Sequence, residues 1–508
     1  MSQSPRTSRL RRVVAVLLLI AAVAAIAILA WRAAPGGLQA TAPTLPTLIV
    51  LPLHPAGARR EEGVLAEGLS AEFAAQLQHI QGLRTIARAT ALRAATDQLD
   101  PVQLAQRVGA TLVLSGELRE LGGDQLHLDL QLLDAPAGRR LWSRSYEQRL
   151  GTLAALQSEV AQAIATQLHM VLPQSVEYAP APEPQLLRDY LQARQLIDSP
   201  QRARGLDLLR EIVKKAPDFA RAHATLARTL TTTLRGAGGG AAADLDEALA
   251  HSTRALELEP YLAEAHVARA VLACRSGDWA GCTQTFAQAV DLDPADAEAR
   301  ITYAYWLAAL GCIDEALTQA ERAWAMDPLG YNVNFARARL LDTVGRHDEA
   351  AQYLERLSAE SGGLVYAKWH NAVWRHDYAT AGQLVAAMPR SDGFRESYTV
   401  VTEALSEPRL WPQALPLIAT SERANGGINV QRIMMPNPDY GIVITGLEKM
   451  LRDGWPSYYM LLWMPEYAAL RSDPAFQDFL KRTRLLDYWR ERGFPPQCRA
   501  VGDGATCK

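Results

Sequence analysis

The first folded part of the chain shows the alternation that β-strands produce. Residues 47–53 read TLIVLPL, an apolar run typical of a buried strand. Along residues 125–133, leucine occupies almost every second position and polar residues lie between. A period of two places the leucines on one face of a strand and the polar side chains on the other. We therefore expect a sheet with one buried face and one face in contact with water or a polar neighbour.

The neighbouring segments complete an α/β pattern. Apolar positions in residues 63–78 recur with helical spacing, and Asp100 followed by Pro101 is a start signal for a helix that runs to residue 108. Further strands are predicted at 83–87, 111–118 and 140–146, and a closing helix at 153–168. Together these elements predict an α/β sandwich-type small domain over residues 47–170.

A different period begins near residue 186. Pro260, Pro294 and Pro328 stand 34 residues apart, and Pro217 lies 43 residues before Pro260. A loop rich in glycine and alanine at 236–243 accounts for the longer spacing. A fixed period of this length is typical of stacked helical hairpins, since one hairpin cannot bury its apolar face alone.

Each repeat has the composition of two antiparallel helices. Small residues, mostly alanine, recur at equivalent places and let the two helices approach closely. Gly277, Gly311 and Gly345 fall between the helices, where a left-handed residue suits the turn, and a proline ends each second helix. Five regular repeats over 186–358 and a degenerate one predict an all-α solenoid over 186–390. We expect the helical region 391–508 to cap its open end, with 461–494 over the last repeat.

The repeats resemble the tetratricopeptide repeat, a 34-residue helix pair with small residues at fixed offsets and a terminal proline. The α/β region resembles the TolB-like amino-terminal domain, related to the FlgO domain, in LIVLPL, LAEGLSAEFAAQLQHIQGLRTIAR, GATLVLSGELRE and LQLLDAPAGRRLWSRSYEQRL. Where that family often has a phenylalanine and an Asn-x-Ser-like turn, this chain has Leu53 and HPAG. The resemblance implies a non-catalytic periplasmic module of membrane-anchored bacterial regulators, often followed by these same repeats.

The amino terminus carries a membrane signal. Residues 13–31 contain no charged residue and would span roughly 28 Å as a helix, about the thickness of a hydrocarbon core. Four arginines and no acid precede them, so the positive-inside rule keeps residues 1–12 in the cytoplasm. We expect a single-pass transmembrane anchor in the bacterial inner membrane, a linker at 32–46, and residues 32–508 in the periplasm. A cleaved signal peptide is the alternative.

Charge and length bear on nucleic-acid binding. Regulators of the resembling family include proteins with a cytoplasmic winged-helix DNA-binding domain. Only twelve residues precede the apolar run, so we expect no such domain ahead of it. A formal net charge of −3 also argues against a broad nucleic-acid surface, so we predict no nucleic-acid partner.

Cysteine usage and motifs limit the chemistry that we expect. Cys498 and Cys507 lie close enough in sequence to form a disulfide in an oxidising compartment. Cys274, Cys282 and Cys312 are interpreted as small buried residues of the repeats. The sequence contains no recognisable phosphate loop, nucleophile motif or metal-ligand spacing. We therefore predict no enzyme activity, no catalytic residue, no cofactor and no metal.

The best candidate site is the groove lined by the first helices of the stacked repeats. By the repeat register, its exposed positions are Arg221, Arg228, Glu264, Val271, Glu298, Tyr305, Asn332, Phe335, Arg339 and Asp342. Peptide recognition favours such a mixture of aromatic and arginine side chains. We predict a protein or peptide partner here. A concave face that is only solvated, or that is filled by the chain's own tail, is the alternative.

These observations favour a membrane-anchored periplasmic scaffold or sensor that binds protein partners. One alternative is an envelope enzyme acting on glycans or a nucleotide; a glycan hydrolase would need paired carboxylates in a cleft. Another is a cytoplasmic regulator whose apolar segment is not an anchor.

Overall fold

The computed structural model describes residues 45–57, 60–95, 100–172, 183–233, 242–357, 362–388, 394–424, 430–436, 438–452, 456 and 460–508. The predicted cytoplasmic arm 1–12, the anchor 13–31 and nearly all of the linker 32–46 lie outside these residues. Among the helices that are described, none is both long enough and apolar enough to cross a membrane. Residues 46–508 form one compact unit, so the α/β region and the helix pairs share it.

Six strands form the predicted sheet. They are β1 (Thr47–Val50), β2 (His54–Pro55), β3 (Arg84–Thr85), β4 (Leu112–Gly122), β5 (Gln125–Asp134) and β6 (Arg139–Arg149). The order is β3-β1-β4-β5-β6, and β2 also pairs with β4. Strand β1 runs parallel to β3 and β4, whereas β4, β5 and β6 form an antiparallel meander. The meander confirms the leucine alternation: Leu126, Leu128 and Leu130 are at most 2% exposed.

Four helices cover the two faces of this sheet. They are α1 (Arg60–Leu77), α2 (Arg88–Ala95), α3 (Pro101–Val108) and α4 (Leu153–Gln167). Helices α1 and α4 pack on the leucine face, while α2 and α3 pack on the opposite face of β1 and β4. The Asp100 carboxylate caps α3 as predicted, accepting from the N–H groups of Val102 and Gln103.

Fourteen helices of the described chain follow as seven antiparallel pairs. Pair 1 is Pro184–Ile197 and Arg202–Lys215 (α5, α6), pair 2 Ala220–Thr233 and Ala242–Leu258 (α7, α8), pair 3 Ala263–Ser276 and Trp279–Leu292 (α9, α10), pair 4 Ala297–Ala309 and Ile313–Met326 (α11, α12), pair 5 Tyr331–Thr343 and His347–Glu355 (α13, α14), pair 6 Gly362–Trp374 and Tyr378–Ala387 (α15, α16), and pair 7 Phe394–Ser406 and Trp411–Ala424 (α17, α18). The predicted solenoid of 34-residue helix pairs is confirmed.

The turns inside pairs 3, 4 and 5 depend on glycine. Gly277, Gly311 and Gly345 have φ of 79°, 84° and 74°, in the left-handed region that disfavours a side chain. Gly311 also lies against the tail of the chain, because a Cβ at this position would come within 3.0 Å of the Trp463 ring. The sequence spacing therefore identified these turns correctly.

Pair 7 extends the solenoid beyond its predicted end. Trp369 and Val385 of pair 6 belong to one apolar cluster with Val401 and Ile418 of pair 7. Pair 7 therefore covers the apolar face of pair 6, a role that the sequence analysis had given to residues 461–494.

The tail, defined as the described residues of 440–508, folds back along the solenoid. It contains α19 (Tyr440–Arg452), α20 (Ala468–Arg471), α21 (Pro474–Arg482), α22 (Leu485–Arg492) and a hairpin of β7 (Cys498–Val501) with β8 (Gly504–Cys507). Its apolar residues form one cluster with pairs 3, 4 and 5. The expectation that residues 461–494 cover the last repeat is therefore wrong.

Indole hydrogen bonds fix the tail on the turns of pairs 3 and 4. The Trp489 indole N–H donates to the Leu310 carbonyl at 2.9 Å, and that of Trp279 donates to the Thr483 carbonyl at 2.7 Å. The amide of Gln497 donates to the Gly311 carbonyl at 2.9 Å. The carbonyls at the end of α11 lack intrahelical partners, so the tail satisfies groups that would otherwise need water.

Two disulfides join neighbouring elements of the described chain. Cys498 and Cys507, for which the sequence left a disulfide possible, are bonded across the terminal hairpin. Cys274 of α9 and Cys282 of α10 form a second disulfide across the turn of pair 3. The interpretation of these two residues as plain buried thiols is wrong, because the turn at Gly277 brings their Cα atoms within 4.9 Å. Cys312 remains a free, half-buried thiol.

Removal of one tail side chain tests this packing. Trp489 is fully buried, so Trp489→Ala should lower the free energy of unfolding by about 3–5 kcal/mol, the usual loss for a buried tryptophan. The measurement is urea unfolding followed by circular dichroism. Tyr261→Ala is the control, because Tyr261 is 74% exposed and its loss should change stability by about 0.5 kcal/mol or less. Equal midpoints for the two variants would contradict the packing.

Candidate functional site

The first helices of pairs 2 to 5 carry two columns of equivalent side chains, which we call the inner face. The outer column is Arg221, Glu264, Glu298 and Asn332, and the inner column is Arg228, Val271, Tyr305 and Arg339. Phe335 and Asp342 extend the face in pair 5. Each step within a column follows the repeat spacing, and neighbouring members of the outer column such as Glu298 and Asn332 are in contact.

The amino-terminal end of the inner face packs against α1. The carboxylate of Glu72 from α1 is only 8% exposed and lies between Arg221, with which it forms an ion pair, and Arg194, 3.6 Å away. The guanidinium groups of Arg221 and Arg194 lie 5.5 and 5.9 Å from the centre of the Tyr190 ring. Burial alone would raise the pKa of Glu72, but the two arginines lower it below its usual value. The α/β region is therefore joined to the solenoid through a buried charge.

Further along, the charged side chains of the inner face bind one another. Both guanidinium Nη atoms of Arg228 contact the two carboxylate oxygens of Asp296, one at 3.0 Å. The same carboxylate caps α11 by accepting from the Ala299 N–H at 2.8 Å. A bidentate contact of this kind links the first helix of pair 2 to that of pair 4 and orients both side chains.

The remaining outer-column residues also have intramolecular partners. Glu264 accepts a hydrogen bond from the Thr225 hydroxyl at 2.7 Å. Glu298 accepts one from the Asn332 amide at 2.9 Å, between pair 4 and pair 5. These contacts run from one helix pair to the next, so they stabilise the stack.

The tail covers the inner column of pairs 3 to 5. Helix α19 packs on α9, and residues 460–463 pack on α11 and α13. Val271, Tyr305 and Arg339 are consequently 5%, 8% and 7% exposed. Of the two alternatives to an open groove, the structure shows the one in which the chain's own tail fills the concave face.

A histidine joins the tail to pair 5. Nδ1 of His347 lies 3.0 Å from the Asp342 carboxylate, and Nε2 lies 2.9 Å from the Glu466 carboxylate of the tail. Asp342 is 1% exposed and also accepts from the Asn371 amide at 2.7 Å. Beside it, the Trp374 indole donates to the Tyr467 hydroxyl at 3.0 Å. One protonated imidazole thus bridges two carboxylates, one on each side of the contact.

The surroundings of His347 favour its charged form. Burial opposes protonation, but hydrogen bonds to Asp342 and Glu466 and their negative charges raise the pKa of His347 to about 9. Arg339 lies 3.9 Å from Asp342 and supplies a second positive charge nearby. At neutral pH the bridge is therefore a charge-assisted contact that holds the tail.

Exposure of the predicted groove residues is where the sequence analysis fails. Asn332 is exposed and Phe335 half-buried, but Tyr305, Arg339 and Asp342 are buried. Repeat register identifies which residues share a face and does not reveal that a distant segment covers that face. The prediction that Tyr305, Arg339 and Asp342 lie open to a partner is therefore wrong.

Several residues of the site were missed. Glu72, Asp296, Glu466 and His347 complete the contacts of the predicted arginines and acids. Asp296 alone carried a signal, since an aspartate directly before a helical repeat is a capping residue. Glu72 and Glu466 lie far from their partners in sequence, and no local pattern marks them.

Another titratable group, His370, packs inside the solenoid. His370 is buried beside Trp369, and its Nδ1 contacts the Tyr366 carbonyl at 2.7 Å. Burial and the charge of Arg339 lower the pKa of His370 to about 3. In the described part of the chain, no group of three or more His, Cys, Asp or Glu is placed to hold a metal ion.

The Arg228–Asp296 contact yields a test of the inner face. Arg228→Met should lower the free energy of unfolding by about 3 kcal/mol, because it leaves the Asp296 carboxylate buried without its partner. Adding Asp296→Asn should recover part of that loss, since asparagine still caps α11 and carries no charge. Urea unfolding of both single variants and the double variant gives the coupling energy.

A second bidentate pair provides the matched control. Arg210 and Glu247 meet at 2.8 Å through both oxygens but are more exposed, so the equivalent variants should show a coupling of about 1 kcal/mol or less. Similar coupling energies for the two pairs would show that burial does not strengthen the inner contact.

The pKa of His347 predicts a dependence on pH. A group whose pKa is raised in the folded state stabilises it fully below the unfolded pKa of about 6.5, and this contribution disappears as pH rises towards 9. The difference in unfolding free energy between wild type and His347→Gln should therefore be largest near pH 6 and smallest above pH 9. Urea unfolding at pH 6, 7.5 and 9 measures it, and a difference that stays constant would exclude the bridge.

Comparison with known proteins gives a limited result. No family model matches the chain. It is 25% identical over 225 residues to putative adenylate cyclase 3 of Rhizobium meliloti (strain 1021), an alignment that covers 43% of this chain and 38% of that protein. The chain thus spans well under half the length of this curated relative.

Solved structures that resemble part of this chain include PilF, PilW and a tetratricopeptide repeat protein. PilF of Pseudomonas aeruginosa is 18% identical with a TM-score of 0.33, covering 42% of this chain and 96% of its own. PilW, a type IV pilus biogenesis factor, is 17% identical with a TM-score of 0.33, covering 41% and 93%. A tetratricopeptide repeat protein from Parabacteroides merdae is 13% identical with a TM-score of 0.33, covering 53% and 98%.

Proposed function

We propose that this chain is a protein-interaction scaffold or sensor, anchored in the bacterial inner membrane by residues 13–31 with residues 32–508 in the periplasm. The observation that carries the proposal is the continuous stack of helix pairs, braced by the α/β region at one end and by the tail along its middle. Stacked pairs of this kind create an extended surface that suits the binding of another protein.

Access to the predicted groove decides how such a partner binds. The tail occupies the inner column of pairs 3 to 5, so a peptide could enter there only if the tail left. Several buried tryptophans and the His347 bridge hold the tail in place, and losing them together would expose a large apolar surface. We therefore expect partners to bind mainly on surfaces that the tail and α1 leave open.

Two features support an extracytoplasmic location. The apolar run follows four arginines, an arrangement that keeps the short amino-terminal arm inside. The disulfides Cys274–Cys282 and Cys498–Cys507 would persist in an oxidising compartment such as the periplasm and would be reduced in the cytoplasm.

The curated relative suggests a competing function. Its name describes a putative adenylate cyclase, so cyclisation of a nucleotide is the enzyme alternative for this chain. Purified full chain incubated with ATP and Mg²⁺ or Mn²⁺ should yield no cyclic AMP under our proposal. Formation of cyclic AMP, abolished by substitution of a carboxylate, would replace the scaffold with an enzyme.

A reporter fusion tests the location. Alkaline phosphatase fused after residue 40 should be active, because its disulfides form only outside the cytoplasm. The same fusion without residues 13–31 is the control and should be inactive. An active cytoplasmic fluorescent reporter at residue 40, with inactive phosphatase, would contradict the proposal.

Crosslinking in intact cells tests the scaffold itself. A photoreactive residue is placed singly at exposed positions of the helix pairs and of the sheet, and crosslinked proteins are identified. The proposal expects the same partner from several positions on one surface; failure to crosslink any protein from all surfaces would overturn it.

A further inference from the structure

The sheet of the α/β region ends in a long free edge. Strand β6 is eleven residues long and lies last in the strand order, whereas β3 at the opposite edge has two residues. Within the described residues no strand pairs with the outer side of β6. The pairing of β6 with β5 shifts register between Leu132 and Leu133, so the regular part of the edge is residues 142–149. Over about 26 Å it presents a row of backbone donors and acceptors that another extended chain can use.

The hydrogen-bond register shows which backbone groups face outward. The Leu150 N–H donates to the Asp124 carbonyl at 2.8 Å, and β5 and β6 continue from there in antiparallel register. Since bonded and non-bonded pairs alternate along such a ladder, even-numbered residues from 144 to 148 bond to β5. The N–H and C=O groups of Ser143, Ser145 and Glu147 therefore point away from the sheet.

Helix α4 leaves room for one more strand beside β6. A groove of about 660 Å³ runs between the Arg144 side chain of β6 and Glu159, Gln162, Ala163 and Thr166 of α4, and it continues to His169. Arg144 on β6 and Glu159 on α4, which both line the groove, approach to 2.9 Å. The helix thus extends past the sheet edge, and an added strand would place alternate side chains in this groove.

The charges of β6 indicate which kind of extended chain can bind along its outer edge. The strand carries Arg139, Arg140, Arg144 and Arg149 against the single acid Glu147. Asp134 and Glu159 pair with two of these arginines, while Arg140 and Arg149 are exposed and form no ion pair with the described residues. A second copy of β6 paired antiparallel about Arg144 would place Arg144 against Arg144 and Arg139 against Arg149, which is unfavourable. An extended acidic segment would instead meet positive charge at both ends.

We propose that the outer edge of β6 binds an extended, acidic segment of a partner protein as an additional β-strand. The partner's backbone supplies hydrogen bonds to Ser143, Ser145 and Glu147, its acidic side chains meet Arg140 and Arg149, and alternate side chains enter the groove against α4. This inference rests on the proposed scaffold function and names the surface and chemistry of one interaction.

Random twelve-residue peptides displayed on phage test the edge. They are selected on the purified full chain in detergent and then measured against variants. Ser143→Pro removes an outward N–H without breaking a bond to β5, and Ser143→Thr is the matched control that keeps it. We expect enriched peptides that alternate acidic and β-branched residues, with affinity at least tenfold lower for Ser143→Pro and within twofold for Ser143→Thr.

A second measurement modifies the backbone of a selected peptide and uses the wild-type protein. N-methylation of a selected peptide at every second residue should abolish binding when the methyl groups face β6 and have little effect in the alternate register.

A third measurement reverses charges on the protein. Arg140→Glu combined with Arg149→Glu should weaken binding of the selected peptide about tenfold. Equal affinity for Ser143→Pro and Ser143→Thr, no difference between methylation registers, or enrichment of non-acidic peptides would overturn the proposal.

Other outcomes separate this inference from the scaffold function. A dimer of the wild type that dissociates in Ser143→Pro would identify a second copy as the occupant and reject the acidic partner. Partners crosslinked from the helix pairs, with no peptide selected at the edge, would discard the β6 site and leave the scaffold function standing.

Discussion

Burial of the inner face of the solenoid is the constraint on which the rest of the structure depends. The first helices of pairs 3 to 5 present apolar side chains that neighbouring pairs alone do not cover. Helix α19 and residues 460–463 cover them, and tryptophans of the tail satisfy carbonyls at the turns. Without this contact the middle of the solenoid would expose a large apolar surface, so the tail is part of the folded core.

The pairing of charged side chains follows from that burial. Arginines at repeating positions would be expected to reach solvent, yet Arg221 and Arg228 are turned towards buried carboxylates. Removing a charge from water is unfavourable unless a partner compensates, and each of these two arginines has an acid placed opposite it. The same logic explains why His347 is protonated between Asp342 and Glu466. These pairs fix how segments distant in sequence meet.

Burial of the inner face limits where a partner can bind. An inner face whose charges are already paired and whose aromatic residues are already packed has little capacity left for an outside ligand. The free backbone of β6 has not been used in this way, and its arginines lie at the surface. The proposed interaction at β6 therefore lies apart from the core of the solenoid.

Local sequence determined the elements of the protein. Leucine alternation defined β5, Asp100 and Pro101 defined the start of α3, and the spacing of Gly277, Gly311 and Gly345 defined turns that only a left-handed residue suits. Such features depend on neighbours a few residues away or on a fixed period, so they can be derived from the chain alone. Even the membership of the inner face followed from the 34-residue register.

Only the tertiary structure decided what lies on that face. The packing of the tail on pairs 3 to 5 and the ion pair of Glu72 with Arg221 join residues that lie far apart in sequence, and no local pattern encodes these contacts. An apolar segment fits any sufficiently apolar surface, and the choice depends on shape, burial and the pairing of charges over the whole molecule. For that reason the sequence could identify the groove but could not show that the chain itself fills it.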